Sequence, residues 1–268
     1  MLKDITLGQY FPGDTPIHRL DSRTKLLLTV LYIVCLFTAS TPGGYLVAFA
    51  ALALDMLLSR IGPKAVLRGL KPLIFIIIFT AVLNLFFTEG EHVLLAWGRL
   101  RVTREGLTTA VFMVLRVMLL VAGTFLLTYT TSPLAITDGL ERLFSPLKKL
   151  HVPVYELSLM MSIALRFIPT LIEDTDRILS AQKARGANFE TGRLTDRAKA
   201  LLPVLIPLFV SSFRRSEELA DAMECRCYNG GEGRTRMKQM RFATGDFIAL
   251  GCGVSLPALT IVLGRLGL

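Results

Sequence analysis

Long apolar runs dominate this chain, and they restrict it to folds in which helices cross a membrane. A membrane-spanning helix needs roughly 20 mostly apolar residues. Hydrophobic residues make up 52% of the 268 positions and the mean hydropathy is +0.54, which is too apolar for an ordinary soluble domain. The runs that approach a membrane-spanning length cover about 26–39, 45–58, 72–87, 107–130 and 242–263.

These runs predict an all-α integral membrane protein with about five transmembrane helices plus long amphipathic cytoplasmic helices. The predicted regions are an N-terminal transmembrane region over 1–130, a cytoplasmic helical region over 131–241 and a C-terminal transmembrane helix over 242–268. Within the cytoplasmic region, Ser132 and Pro133 are typical of a helix start, and an amphipathic helix is predicted over 132–150.

The distribution of Lys and Arg predicts the orientation in the membrane. Basic residues precede the first span and fill the loop after the second, whereas the first short loop, 40–44, has none. Because basic loops stay on the cytoplasmic side, we expect a cytoplasmic N-terminus and, after five crossings, a C-terminus outside. The loop 88–106 then lies outside, and its two β-like runs around Trp97-Gly98 predict a small hairpin at the lipid interface.

Several chemistries are disfavoured by the residues present. The net charge of +9 is explained by basic loops, since no soluble basic domain with a recognition element is visible. Cys225 and Cys227 are one residue apart and offer only half a metal site, so no metal is expected. The three histidines are isolated, and the glycine-rich segment 230–235 lacks the spacing of a phosphate loop. We therefore expect no catalytic residues, and any ATP to be bound by a partner.

Two arginine motifs in the cytoplasmic region are the strongest candidates for function. They are Ala184-Arg185-Gly186 and Cys225-Arg226-Cys227, and each ends an amphipathic segment that begins apolar and becomes charged. The predicted helix stops are Gly186 after the first segment and Asn229-Gly230-Gly231 after the second. Each arginine follows an apolar residue, Ile178 or Leu219, by seven positions, which is close to two helical turns. An apolar stripe that ends in a guanidinium suits docking onto a carboxylate or backbone carbonyls of another protein. A simpler interpretation, a cation that complements the helix dipole, suits either motif taken alone.

Charged and small residues inside the spans have two possible roles each. Asp55 and Arg116 either pair within the helical bundle or line a transport path. Gly251 and Gly253 in the last span, and Ser158 and Ser162 in the region 131–241, permit close helix contact, either internal or with another membrane subunit.

The chain resembles the T component, the transmembrane coupling subunit, of energy-coupling factor importers, a family that includes the cobalt-transporter Q subunits. The resemblance covers nearly the whole chain. It rests on the entry segment from Gly8 to Leu26, which contains Pro12-Gly13-Asp14 and Asp21-Ser22-Arg23, and above all on the two arginine motifs. The second motif departs from the usual Ala-Arg-Gly by its two cysteines.

The resemblance implies a concrete set of partners. Arg185 is expected to enter a groove on one ABC ATPase subunit and Arg226 a groove on the other, with Ala184, Gly186, Glu224, Cys225 and Cys227 around them. An adaptable apolar surface that includes Leu157, Met160 and Met161 is expected to contact a membrane-embedded S component that binds a vitamin or other micronutrient, although core packing is the alternative for these side chains. ATP and Mg²⁺ would be bound by the ATPases, in a prokaryotic cell membrane.

Two other classes of protein fit the sequence less well. A membrane-embedded enzyme needs polar catalytic groups that converge in the bilayer, and the sequence offers none. A stand-alone channel or secondary carrier typically shows matched halves or interrupted spans around a midplane site, and it would leave the large cytoplasmic region without a role.

Overall fold

The computed structural model describes residues 10–88, 92–97, 100–150, 152–187, 189, 194–230 and 240–266. Most of these residues are helical, and two 3-10 turns, Lys71–Leu73 and Ser145–Leu150, link consecutive helices. The elements are α1 (Pro16–Arg19), α2 (Ser22–Thr38), α3 (Pro42–Ser59), α4 (Pro63–Leu70), α5 (Ile74–Phe87), β1 (Val93–Trp97), β2 (Leu100–Thr103), α6 (Arg104–Thr130), α7 (Pro133–Phe144), α8 (Val154–Ala184), α9 (Leu194–Glu224) and α10 (Thr244–Leu266).

Five described segments are long and apolar enough to cross a membrane: Pro42–Ser59, Pro63–Phe87, Arg104–Thr130, Val154–Ala184 and Thr244–Leu266. The chain is therefore an all-α multi-pass membrane protein. Four of these segments correspond to predicted spans. The fifth is α8, which the sequence assigns to the cytoplasmic region; it qualifies by length and composition, and its cytoplasmic assignment stays a prediction. The predicted first span, 26–39, corresponds to α2, which has only 17 residues because the turn before Pro42 ends it.

The strands β1 and β2 are the only strands among the described residues. They pair in antiparallel fashion with Trp97 opposite Leu100, which confirms the hairpin predicted around Trp97-Gly98. The hairpin joins α5 to α6. Its location at a lipid interface stays a prediction.

The chain divides into two compact units. The first, which we call the bundle, comprises 8–139 and 240–268 and contains α1 to α6 and α10. The second, which we call the long-helix unit, includes 140–239 and contains α8 and α9. The amphipathic helix predicted over 132–150 crosses the division, but α7 ends at Phe144. Pro146 has no N–H to continue the α-helix, and the chain proceeds as a 3-10 turn.

Two cationic side chains fix the antiparallel register of α2 and α6 in the bundle. The Lys25 ammonium donates to the carbonyl oxygen of Thr130 at 2.9 Å, at the C-terminus of α6. At the other end of α2, the Arg116 guanidinium donates to the carbonyl oxygen of Ala39 at 3.1 Å. Each cation thereby satisfies a carbonyl that a helix end leaves without an intrahelical partner.

Helix α10 packs beside α2 and runs parallel to it. The Asp246 side chain, only 1% exposed, accepts hydrogen bonds from the N–H of Asp21 at 2.9 Å and of Ala243 at 2.8 Å. Further along both helices, the hydroxyls of Thr38 and Thr260 lie 3.0 Å apart. The C-terminal end of α6 and the N-terminal end of α10 therefore lie at the same end of the bundle as the start of α2.

Two glycines allow the bundle helices to approach closely. A Cβ added at Gly123 would lie 2.5 Å from the ring of Tyr32, and one added at Gly253 would overlap the side chain of Leu28. A Cβ added at Gly251, two residues earlier in α10, would have no atom of the described residues within 4 Å. Of the two small residues predicted in this span, Gly253 makes an internal contact and Gly251 does not.

Candidate partner-docking site

The long helices α8 and α9 are held together by an ion pair that lies about two-thirds of the way along each helix. The Arg215 guanidinium donates to the Asp174 carboxylate at 2.8 Å, with the two side chains 27% and 19% exposed. The Gln182 amide donates to the carbonyl oxygen of Pro203 at 3.4 Å. Since eight residues forward along α8 correspond to twelve residues back along α9, the two helices run antiparallel.

The end of α8 is closed by a Schellman motif that places Arg185 at the C-cap. The N–H of Ala187 donates to the carbonyl of Gln182 at 3.0 Å, and the N–H of Gly186 donates to the carbonyl of Lys183 at 3.0 Å. Gly186 has φ +86°, the left-handed conformation that this motif requires and that glycine adopts without strain. Gly186 thus ends the helix where the sequence predicts a stop.

The end of α9 has the same backbone motif, with Arg226 at the C-cap. The N–H of Tyr228 donates to the carbonyl of Met223 at 3.0 Å, and that of Cys227 to the carbonyl of Glu224 at 2.8 Å. The stop had been predicted at Asn229-Gly230-Gly231, but the left-handed residue is Cys227, with φ 55°. A cysteine in this conformation is strained by its Cβ, which is why the sequence did not indicate it.

Both arginines are exposed, and so are their neighbours in the predicted docking set: Ala184, Gly186, Glu224, Cys225 and Cys227. The apolar residues seven positions earlier, Ile178 and Leu219, are half-buried.

Arg185 lies eleven residues beyond Asp174, and Arg226 lies eleven residues beyond Arg215. We call the part of each helix between the ion pair and its arginine the tip. At 1.5 Å per residue each tip extends about 16 Å from the ion pair. Because the helices are antiparallel, the tips point in opposite directions and the arginines do not meet.

The predicted apolar contact surface on α8 is also exposed. Leu157 is 49%, Met160 57% and Met161 53% accessible, so these side chains do not pack in a core of the described chain. Ser158, between them, is buried, whereas Ser162 is half-buried. In α9 an exposed apolar face runs along Leu202, Ile206, Phe209, Val210 and Phe213. Large exposed apolar faces of this kind contact lipid or another protein.

The two charged residues inside the bundle differ in their surroundings. Arg116 is paired within the bundle, since it binds Ala39 and its guanidinium lies 5.9 Å from the ring centroid of Phe37 and 5.7 Å from that of Tyr45. Asp55 lines a cavity of about 740 Å³ between α2, α3, α6 and α10. Its carboxylate makes no hydrogen bond or ion pair with any described residue.

All four cysteines are described and all are free thiols, with Cys225, Cys227 and Cys252 exposed. Within the described ranges, no group of three or more His, Cys, Asp or Glu side chains is placed to hold a metal ion.

The ion pair between Asp174 and Arg215 was not predicted from the sequence, although the two residues occupy equivalent positions in two similar segments.

An apolar helical bundle continued by two long helices with exposed arginine tips defines a multi-pass membrane protein with a large charged helical insertion. A family model described as cobalt transport protein, CbiQ, matches residues 13–237. Curated relatives include the "energy-coupling factor transporter transmembrane protein EcfT" of Clostridium kluyveri, 51% identical over 98% of this chain and 97% of the relative. The protein of that name from Ruminiclostridium cellulolyticum is 50% identical over 95% of both chains, and that of Lactococcus lactis is 44% identical over 98% of this chain and 97% of the relative.

The chain belongs to the CbiQ/EcfT family of energy-coupling factor transporter transmembrane proteins. It is therefore a transmembrane component of a transporter, and not an enzyme. The resemblance noted in the sequence is confirmed.

Proposed function

We propose that this chain couples two ABC ATPase subunits to a membrane-embedded S component, with Arg185 docking into one ATPase and Arg226 into the other. The observation that carries the proposal is the matched geometry of the two helix ends: both arginines occupy the same C-cap position and extend equally far from one ion pair. The ATPases bind ATP and Mg²⁺, and the S component binds the vitamin or other micronutrient that is imported.

The arginine is suited to this docking because its guanidinium forms two parallel hydrogen bonds with a carboxylate, in a geometry that lysine cannot reproduce. The Schellman motif fixes the direction of the chain at the C-cap, so the guanidinium starts from a rigid backbone. Removal of one partner from a desolvated charge pair typically costs several kcal/mol, about 2–5. Reversal of either arginine is therefore expected to release an ATPase.

The ion pair between Asp174 and Arg215 gives the two docking ends a mechanical connection. When ATP binding draws the ATPases together, a force on one tip is transmitted through the joined helices to the other. The apolar faces of the same helices move with them. The exposed Leu157, Met160 and Met161 then supply a surface for the S component, and flexible methionine side chains can repack against different partners.

Chain direction in the bundle supports a cytoplasmic position for the two tips. Thr130 lies beside Lys25, and Asp246 lies beside Asp21, so the segment 131–243 starts and ends on one side of the membrane. Helices α8 and α9 must then both cross or both stay on that side. Because α9 carries Arg214, Arg215 and four carboxylates in its second half, we assign both to the basic, cytoplasmic side. The N-terminus is then cytoplasmic and the C-terminus outside.

The test is co-purification in detergent with the two ATPase subunits. Arg185→Glu and Arg226→Glu should each lose one ATPase, and the double variant should lose both and all coupled uptake. Arg214→Glu is the matched control, since Arg214 is an exposed arginine of α9 outside the tips. If the double variant holds both ATPases as wild type does, the arginines are only helix-end cations and the proposal is wrong.

A further inference from the structure

The two docking tips share their apolar stripe but differ in the charges beside it. Alignment of the two helix ends on their C-cap arginines pairs Ile178 with Leu219 and Ala181 with Ala222. These residues precede the arginine by seven and four positions and share its face of the helix. The surfaces that would enter a groove are therefore nearly the same on both tips.

The charges next to this stripe are reversed between the tips. Arg177 of α8 corresponds to Glu218 of α9, and Lys183 corresponds to Glu224. All four side chains are exposed. From the residue after the ion pair to the end of the cap, the α8 tip (175–187) has a net charge of +2 and the α9 tip (216–228) has −3.

Ion pairs between described residues do not cancel the negative charge of the α9 tip. The carboxylates of the α9 tip, Glu217, Glu218, Asp221 and Glu224, make no ion pair with any described residue. On the α8 tip, the Arg177 guanidinium lies 3.8 Å from the Glu173 carboxylate, and the two side chains are 77% and 67% exposed. An exposed pair of this geometry contributes little energy, and even when Glu173 is counted the α8 tip keeps a net charge of +1, against −3 on the α9 tip.

We propose that these flanking charges assign the two tips to two different ATPase subunits. The Arg185 tip takes the subunit whose docking groove is the more acidic, and the Arg226 tip takes the subunit whose groove has basic residues around the acceptor of the arginine. The inference rests on the proposed function, and it adds which ATPase chemistry each arginine meets.

The physical reason is the short range of the interaction. Lys183 and Glu224 lie two residues before their arginines, about 3 Å along the helix and inside the Debye length of about 8 Å at physiological salt, whereas Arg177 and Glu218 lie about 12 Å away and contribute less. A tip in the wrong groove would bring like charges together in a partly desolvated contact, and such juxtaposition selects against wrong partners more strongly than it raises affinity for the right one.

A charge-exchange variant tests the assignment. It carries Arg177→Glu and Lys183→Glu on α8 with Glu218→Arg and Glu224→Lys on α9, and it keeps Arg185 and Arg226. A photo-crosslinking amino acid at Ala184 or at Cys225 reports which of two differently tagged ATPase subunits each tip contacts in the complete complex. Lys148→Glu with Lys149→Glu changes exposed charges outside the tips and serves as the control.

In the wild type and in the control, each tip should crosslink one ATPase with a preference of about tenfold, which should weaken at high salt. In the exchange variant the preference should be lost or reversed. An unchanged preference in the exchange variant, or crosslinks from both tips to the same ATPase, overturns the assignment and leaves docking intact. If neither tip crosslinks either ATPase in the wild type, it is the proposed function itself that fails.

Discussion

Asp174 and Arg215 join α8 to α9 at 2.8 Å, and each lies eleven residues before the arginine that ends its own helix. The pair is therefore equidistant, along the chain, from the two candidate docking points. Phe167 lies on the same side, with its ring centroid 5.9 Å from the Arg215 guanidinium. We call this ion pair the pivot, because it joins the two long helices at equal distances along the chain from the two candidate docking points.

Removal of the pivot should impair coupling more than docking. For Asp174→Asn and for Arg215→Ala we expect a loss of about 1–2 kcal/mol in stability, below the 3–5 kcal/mol of a fully buried pair, because the side chains are partly exposed. Both ATPases should remain bound in co-purification, whereas uptake by the complete transporter in proteoliposomes should fall.

Glu173→Gln provides the matched control for stability, since it removes an exposed ion pair of the same helix, and its effect should stay below about 0.5 kcal/mol. The double reversal Asp174→Arg with Arg215→Asp should recover part of the uptake. Equal uptake by wild type and both single variants would show that the pair has no part in transmission.

The left-handed conformation of Cys227 predicts a stabilising substitution. Cys227→Gly should raise the stability of the α9 cap by about 1 kcal/mol, because glycine has no Cβ to clash at φ 55°. Gly186→Ala should lower the stability of the α8 cap by a similar amount, since an alanine at φ +86° has the same Cβ strain and no described atom lies within 4 Å of the added Cβ. Unfolding midpoints in detergent measure both, and a destabilised Cys227→Gly protein would contradict the strain argument.

Arg116 separates a packing role from a role in transport. Arg116→Met leaves the Ala39 carbonyl without its donor and should cost about 1.5–3 kcal/mol, the range for a hydrogen bond to a charged group. Arg116→Lys, which keeps a cationic donor, should lose less. Thermal unfolding and uptake are to be compared on the same preparations. Normal stability together with abolished uptake would favour the transport-path interpretation.

Gly253 and Gly251 form a matched pair within one helix. Gly253→Ala should destabilise the bundle because its Cβ would overlap Leu28, and small-to-large changes in packed sites cost about 1–3 kcal/mol. Gly251→Ala should be neutral or slightly stabilising, because its Cβ meets nothing and alanine favours the helix. If Gly251→Ala instead weakens association with an S component while the bundle stays stable, that face of α10 contacts another membrane subunit.

The sequence was sufficient for the elements whose signal is local. Apolar runs identified α3, α5, α6 and α10, and alternation around Trp97 identified the hairpin. The sidedness of α8 was not decided by composition, because its first half is apolar enough to cross a membrane and its second half is charged. Chain direction in the bundle, which requires α8 and α9 to behave alike, is a property of packing.

In the candidate site, too, the features with a local sequence signal could be predicted and those that depend on packing could not. The two arginines stand out as ends of amphipathic segments, and Gly186 indicates the first cap. The second cap was misplaced because a strained cysteine competes with a glycine that follows three residues later. The partner of Arg215 could not be predicted, since Asp174 is 41 residues away and only the crossing of the helices brings the two together.

The close packing of α10 on α2 also bears on biosynthesis. On the order of a hundred residues separate the end of α6 from the start of α10, and ribosomes add about 5–20 residues per second. The groove at Leu28 that receives Gly253 therefore stays open to lipid for roughly 10 s after the rest of the bundle has emerged. During that interval the membrane contains a bundle that lacks α10. The bundle is complete only when α10, the helix most distant in sequence from α2, has been synthesised and inserted.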